Sequence, residues 1–211
     1  MILIGMFDSP FVRRVAVSLN VLGFPFEHRN WSVGRDFDRI REFNPLGRVP
    51  TLVPDDGPPL MESGAILDYL DQCAGPDRAL LPGSGEARRD ALRLMAVATG
   101  AAEKGVLQIY ENAFRPEEKR HPPWIERCRL QTIAALDVLE SAARGRHGRW
   151  LVGPHMTQAD ITVVCVFGFL SGALGIGRNP GDYPSLTAAA ARCEALSAFK
   201  EARAVFEAPR S

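Results

Sequence analysis

Read from its amino end, the chain alternates between two hydrophobic periods before settling on one. Ile2, Leu3 and Ile4 make a short apolar run that ends at Phe7, the pattern of a buried strand. After Ser9-Pro10 the apolar positions Val12, Val15, Ala16, Leu19 and Leu22 recur at helical spacing, and Gly23 stops them. A second strand is predicted over 24–29, then a short helix carrying Phe37, Ile40 and Phe43 that Asn44-Pro45 ends. Residues 51–53 and 60–61, joined by a turn at Asp55-Asp56-Gly57, read as a hairpin. Ser63 then opens a helix with Ile66, Leu67, Leu70 and Cys73 inward. The order β-α-β-α-β-β-α predicts a thioredoxin-like α/β domain over 1–75.

Residues 74–85 hold Gly75, Pro76, Pro82, Gly83 and Gly85, the composition of a linker. Beyond it every pattern is helical, which predicts an all-α domain over 86–211. Three long helices are expected at 86–114, 124–143 and 159–174. They are separated by Arg115-Pro116 with Pro122-Pro123, and by a break at 148–154. Two shorter helices follow at 183–193, opened by Pro184, and 196–206. Residues 161–177 carry no charge and approach the length of a membrane span. They are interrupted by glycines and lack a flanking basic cluster or a second span, so they read as the buried central helix of the helical domain. At its start, Thr157 and Asp160 are spaced as a capping box, each side chain satisfying an orphaned amide of the first turn.

Composition narrows the function classes. The chain has 211 residues, 46% apolar and 24% charged, enough for one domain or two small ones. Lys plus Arg and Asp plus Glu are both 25, so the net charge is zero and the electrostatic footprint of a nucleic-acid binder is missing. Cys73, Cys128, Cys165 and Cys193 form no CxxC pair and lie in apolar helical contexts, where buried free thiols are expected. The histidines at 28, 121, 147 and 155 are scattered, and no metal motif is present. The first apolar run meets Asp8 at once and has no preceding basic region, so it reads as a strand rather than a signal peptide, and the expected compartment is a reducing cytoplasm. Neither a metal, a nucleic acid nor a membrane is an expected partner.

Three junctions are candidates for chemistry. Ser9-Pro10 stands where the first strand gives way to a helix; Ser and Pro suit a helix start for structural reasons alone, and equally the hydroxyl can donate to a bound thiolate at the positive end of the helix. Arg48-Val49-Pro50-Thr51 puts a proline just before a strand, where thioredoxin-like folds keep a cis-proline loop that exposes the backbone of Val49; an ordinary trans turn is the alternative. Glu62-Ser63 is the next strand-to-helix junction. Its serine amide and hydroxyl suit a ligand carboxylate and its glutamate a ligand ammonium, or the pair is a plain helix cap.

Taken together, Ser9-Pro10-Phe11-Val12-Arg13-Arg14, Asn44-Pro45-Leu46-Gly47-Arg48-Val49-Pro50 and Glu62-Ser63 resemble, in order and spacing, the glutathione-site motifs of soluble glutathione S-transferases. The likeness continues through Leu80-Leu81-Pro82 and Gly153-x-x-x-Thr157-x-Ala159-Asp160, so it covers essentially the whole chain. It implies the two-domain fold of that family and a homodimer through the first two long helices and the edge of the N-terminal domain. It also implies reduced glutathione as co-substrate, held by Phe11, Arg48, Val49, Pro50, Glu62 and Ser63. Ser9 would be the catalytic thiolate stabiliser, with the Phe11 backbone amide as the alternative donor. Ser-Pro-Phe is nearer the serine-type and related bacterial members than the tyrosine-type or cysteine-type ones. No Cys stands at position 9 or 12, and the serine-rich first motif of the maleylacetoacetate-isomerase-like class is absent.

Val106, Tyr110 and Phe114, with Phe11, are candidates for the second-substrate pocket, although an aromatic stripe at helical spacing also suits a core. The expected activity is transfer of alkyl or aryl groups to glutathione, a detoxification chemistry in which the thiolate attacks a small hydrophobic electrophile. The alternatives are an interaction protein that keeps the glutathione site with little or no catalysis, and a glutathione-dependent isomerase, peroxidase or dehalogenase.

Overall fold

The computed structural model describes residues 1–145, 150–179 and 181–208. Four short strands, β1 (Ile2–Ile4), β2 (Glu27–Arg29), β3 (Thr51–Val53) and β4 (Leu60–Met61), form one sheet in the order β2-β1-β3-β4. β1 and β2 are parallel, joined through helix α1 (Pro10–Leu22) as a parallel pair requires; β3 is antiparallel to both β1 and β4. Leu3 sits opposite His28 on one side and Leu52 on the other. Helices α2 (Phe37–Arg41) and α3 (Ser63–Ala74) complete this part. The rest is helical: α4 (Gly85–Phe114), a single 3-10 turn (Glu117–Lys119), α5 (Pro122–Ala143), α6 (Gln158–Leu174), α7 (Pro184–Glu194) and α8 (Ser197–Lys200).

Two hydrophobic clusters meet on α6. Leu3, Val12, Val15, Leu19, Leu52, Ile66 and Leu70 pack together beneath the sheet, and Ile161, Val164 and Cys165 of α6 join them. On its other side α6 gives Val163, Val166, Phe167 and Leu170 to the cluster built by α4, α5 and α7. A helix that is apolar all round is one with neighbours all round, and α6 is the shared wall of both halves. Its start carries the expected capping box. The Asp160 carboxylate accepts from Thr157 N (2.9 Å), Thr157 Oγ1 (3.0 Å) and Leu151 N (2.8 Å), so it anchors the preceding loop as well. Charged groups tie elements together, Arg13 across the two halves and Glu140 within the helical one. Arg13 of α1 pairs with Glu194 of α7 at 2.8 Å and donates to the Ala202 carbonyl at 3.0 Å. Glu140 of α5 accepts the Ser185 and Leu186 amides at the start of α7, both at 2.9 Å.

Some expectations need correction. Cys73 does not turn inward with Ile66, Leu67 and Leu70; although it shares their helical face, it is exposed at the penultimate residue of α3. Cys128, Cys165 and Cys193 are buried, and burial pushes the Cys165 and Cys193 thiols up to about 12. The last helix ends at Lys200 rather than at 206, and residues 203–208 run on without helix. Arg13 takes the Phe199 and Ala202 carbonyls there, so the chain end is held by a side chain instead of by helical turns. α2 stops at Arg41, leaving Phe43 outside it, and α5 starts at Pro122 because a proline is well suited to a first turn. The predicted break at 148–154 falls partly on residues 148 and 149, which lie outside the described residues, as does His147. No helix among the described residues is long and apolar enough to cross a membrane.

Candidate active site

Two of the three junctions close up around Gly5, the residue that follows β1. Gly5 has φ +133°, and a Cβ there would stand 2.6 Å from Val12 Cγ2 and 2.8 Å from Val49 Cβ. Without a side chain, the end of β1 lets α1 and the loop before β3 close up. That loop is fixed from inside by Asn44, whose amide donates to the Arg48 carbonyl (2.9 Å) and Thr51 Oγ1 (3.1 Å) and accepts from Leu46 N (3.0 Å). The Val49-Pro50 peptide is cis, as the position of the proline before β3 suggested.

Ser9 caps α1: its backbone is extended (φ −73°, ψ 125°) and its Oγ accepts the Val12 N–H at 3.5 Å. This bond uses one lone pair and leaves the hydroxyl proton unassigned. The two readings of Ser9, cap and thiolate donor, are therefore compatible. The Phe11 N–H lies in the same first turn, where amides have no intrahelical acceptor.

At the start of α3, Glu62 holds φ +72°, the one non-glycine residue with positive φ among those described. Such a conformation costs about 1 to 3 kcal/mol and persists where the surroundings impose it, which happens often at binding sites. Ser63 is fully buried, and its hydroxyl is already engaged on both sides. It accepts from Arg14 Nη2 at 2.8 Å and donates to Glu62 Oε1 at 3.4 Å. Arg14 reaches on to Thr162 of α6 (3.3 Å). Burial pushes its pKa down to about 10 against the opposing pull of Glu62. The expected use of Ser63 thus divides. Its hydroxyl supports Glu62 from inside, whereas its N–H, first in α3, is the group left for a ligand carboxylate.

Two adjoining cavities open at this meeting point. The smaller, about 50 Å³, is bordered by Glu62, Ser63, Pro50 and Asn44, with Glu103 of α4 on the far side. The larger, about 340 Å³, is bordered by Ser9, Phe37, Val106, Tyr110, Phe114 and Phe169. Phe11, Arg48 and Val49 border both. Every residue singled out from the sequence therefore lies on one cavity or the other. Val106, Tyr110 and Phe114 follow one another at four-residue steps along α4. The Tyr110 and Phe114 rings meet edge-on with centroids 5.0 Å apart, and both side chains keep over a third of their surface exposed, which a core stripe would not. Burial raises the Tyr110 pKa, with the nearby charge of Arg48 opposing it, so the phenol is a neutral donor.

Sequence reasoning missed Asp8, Val33, Phe37, Ile109 and Phe169 on the larger cavity and Glu103 on the smaller. Phe37 was read only as a position of the short second helix and Phe169 falls within the stretch read as the buried central helix, and only the packing reveals that both line a cavity. Asp8 adjoins Ser9 and was legible by position alone. Burial raises its pKa, and its Oδ2 accepts the Glu207 N–H at 3.0 Å. Among the described residues no three His, Cys, Asp or Glu side chains gather as a metal site would need.

Comparison with known proteins agrees with this geometry. Residues 3–78 match the family model "Glutathione S-transferase, N-terminal domain" and residues 122–206 match "Glutathione S-transferase, C-terminal domain". The chain belongs to the glutathione S-transferase family and has its fold. It is 30% identical over 173 residues to the uncharacterized GST-like protein YibF of Escherichia coli (strain K12), covering 80% of this chain and 81% of that one. Among solved structures, a glutathione S-transferase of Methylobacterium radiotolerans in complex with glutathione sulfonate superposes with a TM-score of 0.88 at 28% identity, over 100% of this chain and 95% of that one. A glutathione transferase family member of Pseudomonas fluorescens Pf-5 with bound glutathione superposes at 0.83 and 31% identity, over 96% and 98%.

Proposed function

We propose that this protein is a glutathione transferase that binds reduced glutathione across the smaller cavity and turns its sulfur toward Ser9, at the mouth of the larger one. The observation that carries the reading is the shared wall. A charged recess with carboxylates and a free helix-start amide adjoins an apolar chamber through Phe11, Arg48 and Val49, and Ser9 lines the chamber two residues before Phe11. Glu62 would take the ligand ammonium, the Ser63 N–H a carboxylate, and Val49 the peptide backbone, with Phe11 and Pro50 shaping the passage. The glutathione sulfonate held by the relative from M. radiotolerans and the glutathione held by that from P. fluorescens support this reading.

In the reaction the thiol gives its proton to solvent, Ser9 donates to the thiolate, and the sulfur attacks an electrophilic carbon. With an aryl halide the C–S bond forms, the carbon–halogen bond breaks, and halide leaves with the bonding pair. We also place the division of the chain between residues 75 and 86. The active form is proposed to be a cytoplasmic homodimer, since α4 and α5 expose Leu92, Leu107, Leu130 and Val138.

Calorimetry with reduced glutathione, followed by direct detection of the conjugate from 1-chloro-2,4-dinitrobenzene, an epoxide and an isothiocyanate, tests the proposal. Binding at millimolar ligand or below together with at least one conjugate is the expected result. Binding without any turnover would favour an interaction protein, and absence of binding would remove the premise of both.

A further inference from the structure

The larger cavity is mostly apolar, with Asp8, Ser9, Arg48 and Tyr110 as its polar lining residues, and the last two bear on what kind of electrophile suits it. Phe11, Phe37, Phe114 and Phe169 supply ring surfaces, and a volume of about 340 Å³ suits a ligand of one or two aromatic rings. Against these walls stand the Arg48 guanidinium, from the loop before β3, and the Tyr110 hydroxyl, from α4. Arg48 makes no ion pair with any described carboxylate, and the Tyr110 hydroxyl has no hydrogen-bond partner among the described residues. They are close enough for the charge of one to act on the ionisation of the other. A guanidinium cannot accept a hydrogen bond, and a neutral phenol beside it serves best as a donor. Asp8 borders the same cavity: its Oδ2 accepts the Glu207 amide, its Oδ1 is buried without a hydrogen-bond partner among the described residues, and burial raises its pKa, which favours the neutral form that does not repel an anion.

We infer that the electrophile is an aromatic compound bearing a carboxylate, its ring in the apolar cavity and its anionic group on Arg48 and Tyr110. The inference rests on the transferase reading above and specifies the substrate class for that same site. Planar guanidinium against carboxylate is a strong charge-assisted pairing, and Arg48 and Tyr110 are both exposed, so a ligand can reach them. Because Arg48 also borders the smaller cavity, a carboxylate on Arg48 has a second available source, glutathione itself, and the test separates the two.

The comparison uses 4-chloro-3,5-dinitrobenzoate and its methyl ester, which share ring, leaving group and shape but differ in charge. Each kcat/KM is divided by the uncatalysed rate with glutathione, so that intrinsic reactivity cancels. The native protein is expected to favour the acid by about tenfold, the worth of one charge-assisted contact. Arg48→Gln should bring the ratio to about one, Arg48→Lys should restore part of it, and Tyr110→Phe should lower it by about threefold. A ratio near one in the native protein would overturn the inference. So would a ratio that survives Arg48→Gln while the glutathione KM rises equally with both halides, since Arg48 would then hold the carboxylate of glutathione. Conjugation of neither halide would overturn the transferase reading together with this one, whereas equal conjugation of both overturns this one alone.

Discussion

The two cavities differ in how their walls are made. The smaller is lined by residues at strand-to-helix junctions, where Glu62 is held at φ +72°, Ser63 is bonded from behind by Arg14, and Asn44 braces the loop. Each polar group has one position, and each is worth about 1.5 to 3 kcal/mol to a charged ligand. The larger is lined by side chains from the α1 start, the loops around Val33 and Arg48, and from α2, α4 and α6. Its contacts are mostly rings and methyls, worth about 0.8 kcal/mol per buried methylene and tolerant of rearrangement. On the proposed function, the difference means that the thiol partner would be specified tightly and the electrophile loosely, by class more than by identity. Substitutions can break this contrast or sharpen it.

The largest effect should come from beneath both cavities. α6 is shared by the two clusters, so losing its cap should weaken both halves together. Asp160→Ala leaves the Leu151 and Thr157 amides buried without acceptors, and each orphan costs about 1 to 3 kcal/mol. A total loss of about 2 to 4 kcal/mol is expected, as a lower denaturant midpoint with one transition seen by both tryptophan fluorescence and circular dichroism. A change below about 0.5 kcal/mol would show that water replaces the carboxylate. Two separated transitions would show that the halves unfold independently.

Next in size is the contact between the cavities. A cysteine thiol of pKa about 8.5 is only a few per cent ionised at pH 7, and lowering it by two units needs about 2.7 kcal/mol of preferential thiolate binding. One hydrogen bond to the anion supplies about 1.5 to 3 kcal/mol, and the helix dipole adds a fraction. Ser9→Ala should therefore slow conjugation about ten- to hundredfold and move the ascending limb of the pH–rate profile to higher pH, while glutathione binding stays measurable through Val49, Glu62 and Ser63. The lost cap should cost under about 1 kcal/mol, since the bond to Val12 is already long at 3.5 Å. An unshifted profile with lowered stability would make Ser9 a cap only and pass the donor role to a backbone amide such as that of Phe11.

The same contrast explains what was legible in the sequence. Ser9, Val49, Pro50, Glu62 and Ser63 lie at element boundaries, where turn and cap chemistry restricts residue type and leaves a local signature. Helical periodicity exposed the α4 stripe of Val106, Tyr110 and Phe114 because all three sit on one element. Phe37, Val33 and Phe169 come from separate segments, and a ring at a helical position looks the same whether it faces a core or a cavity. Arg14 was read as part of a motif, but its bond to Ser63 crosses 49 residues and has no local trace. Residues 203–206 were read as the end of a last helix over 196–206. In the structure the Phe206 ring packs edge-on against Phe169, 5.9 Å between centroids, from a tail without helix. Periodicity records which residues are buried, and cannot tell a helix from a tail that buries the same side chain.

The smallest expected effect is also the most direct test of separate duties. Phe114 stands at the end of α4 with 42% of its surface exposed, so its removal leaves little void in either cluster. Its ring contributes one wall of the larger cavity and touches Tyr110 edge-on, and it borders nothing of the smaller. An aromatic contact of this kind is worth about 0.5 to 1.5 kcal/mol. Phe114→Ala should raise the KM for an aryl electrophile about three- to tenfold, with kcat changed less and the glutathione dissociation constant held within about twofold. Glu62→Gln should do the reverse, weakening glutathione and sparing the electrophile KM measured at saturating thiol. If Phe114→Ala weakened glutathione as much as it weakened the electrophile, the two cavities would have to be treated as one site, with α4 positioning both ligands through Tyr110 and Glu103.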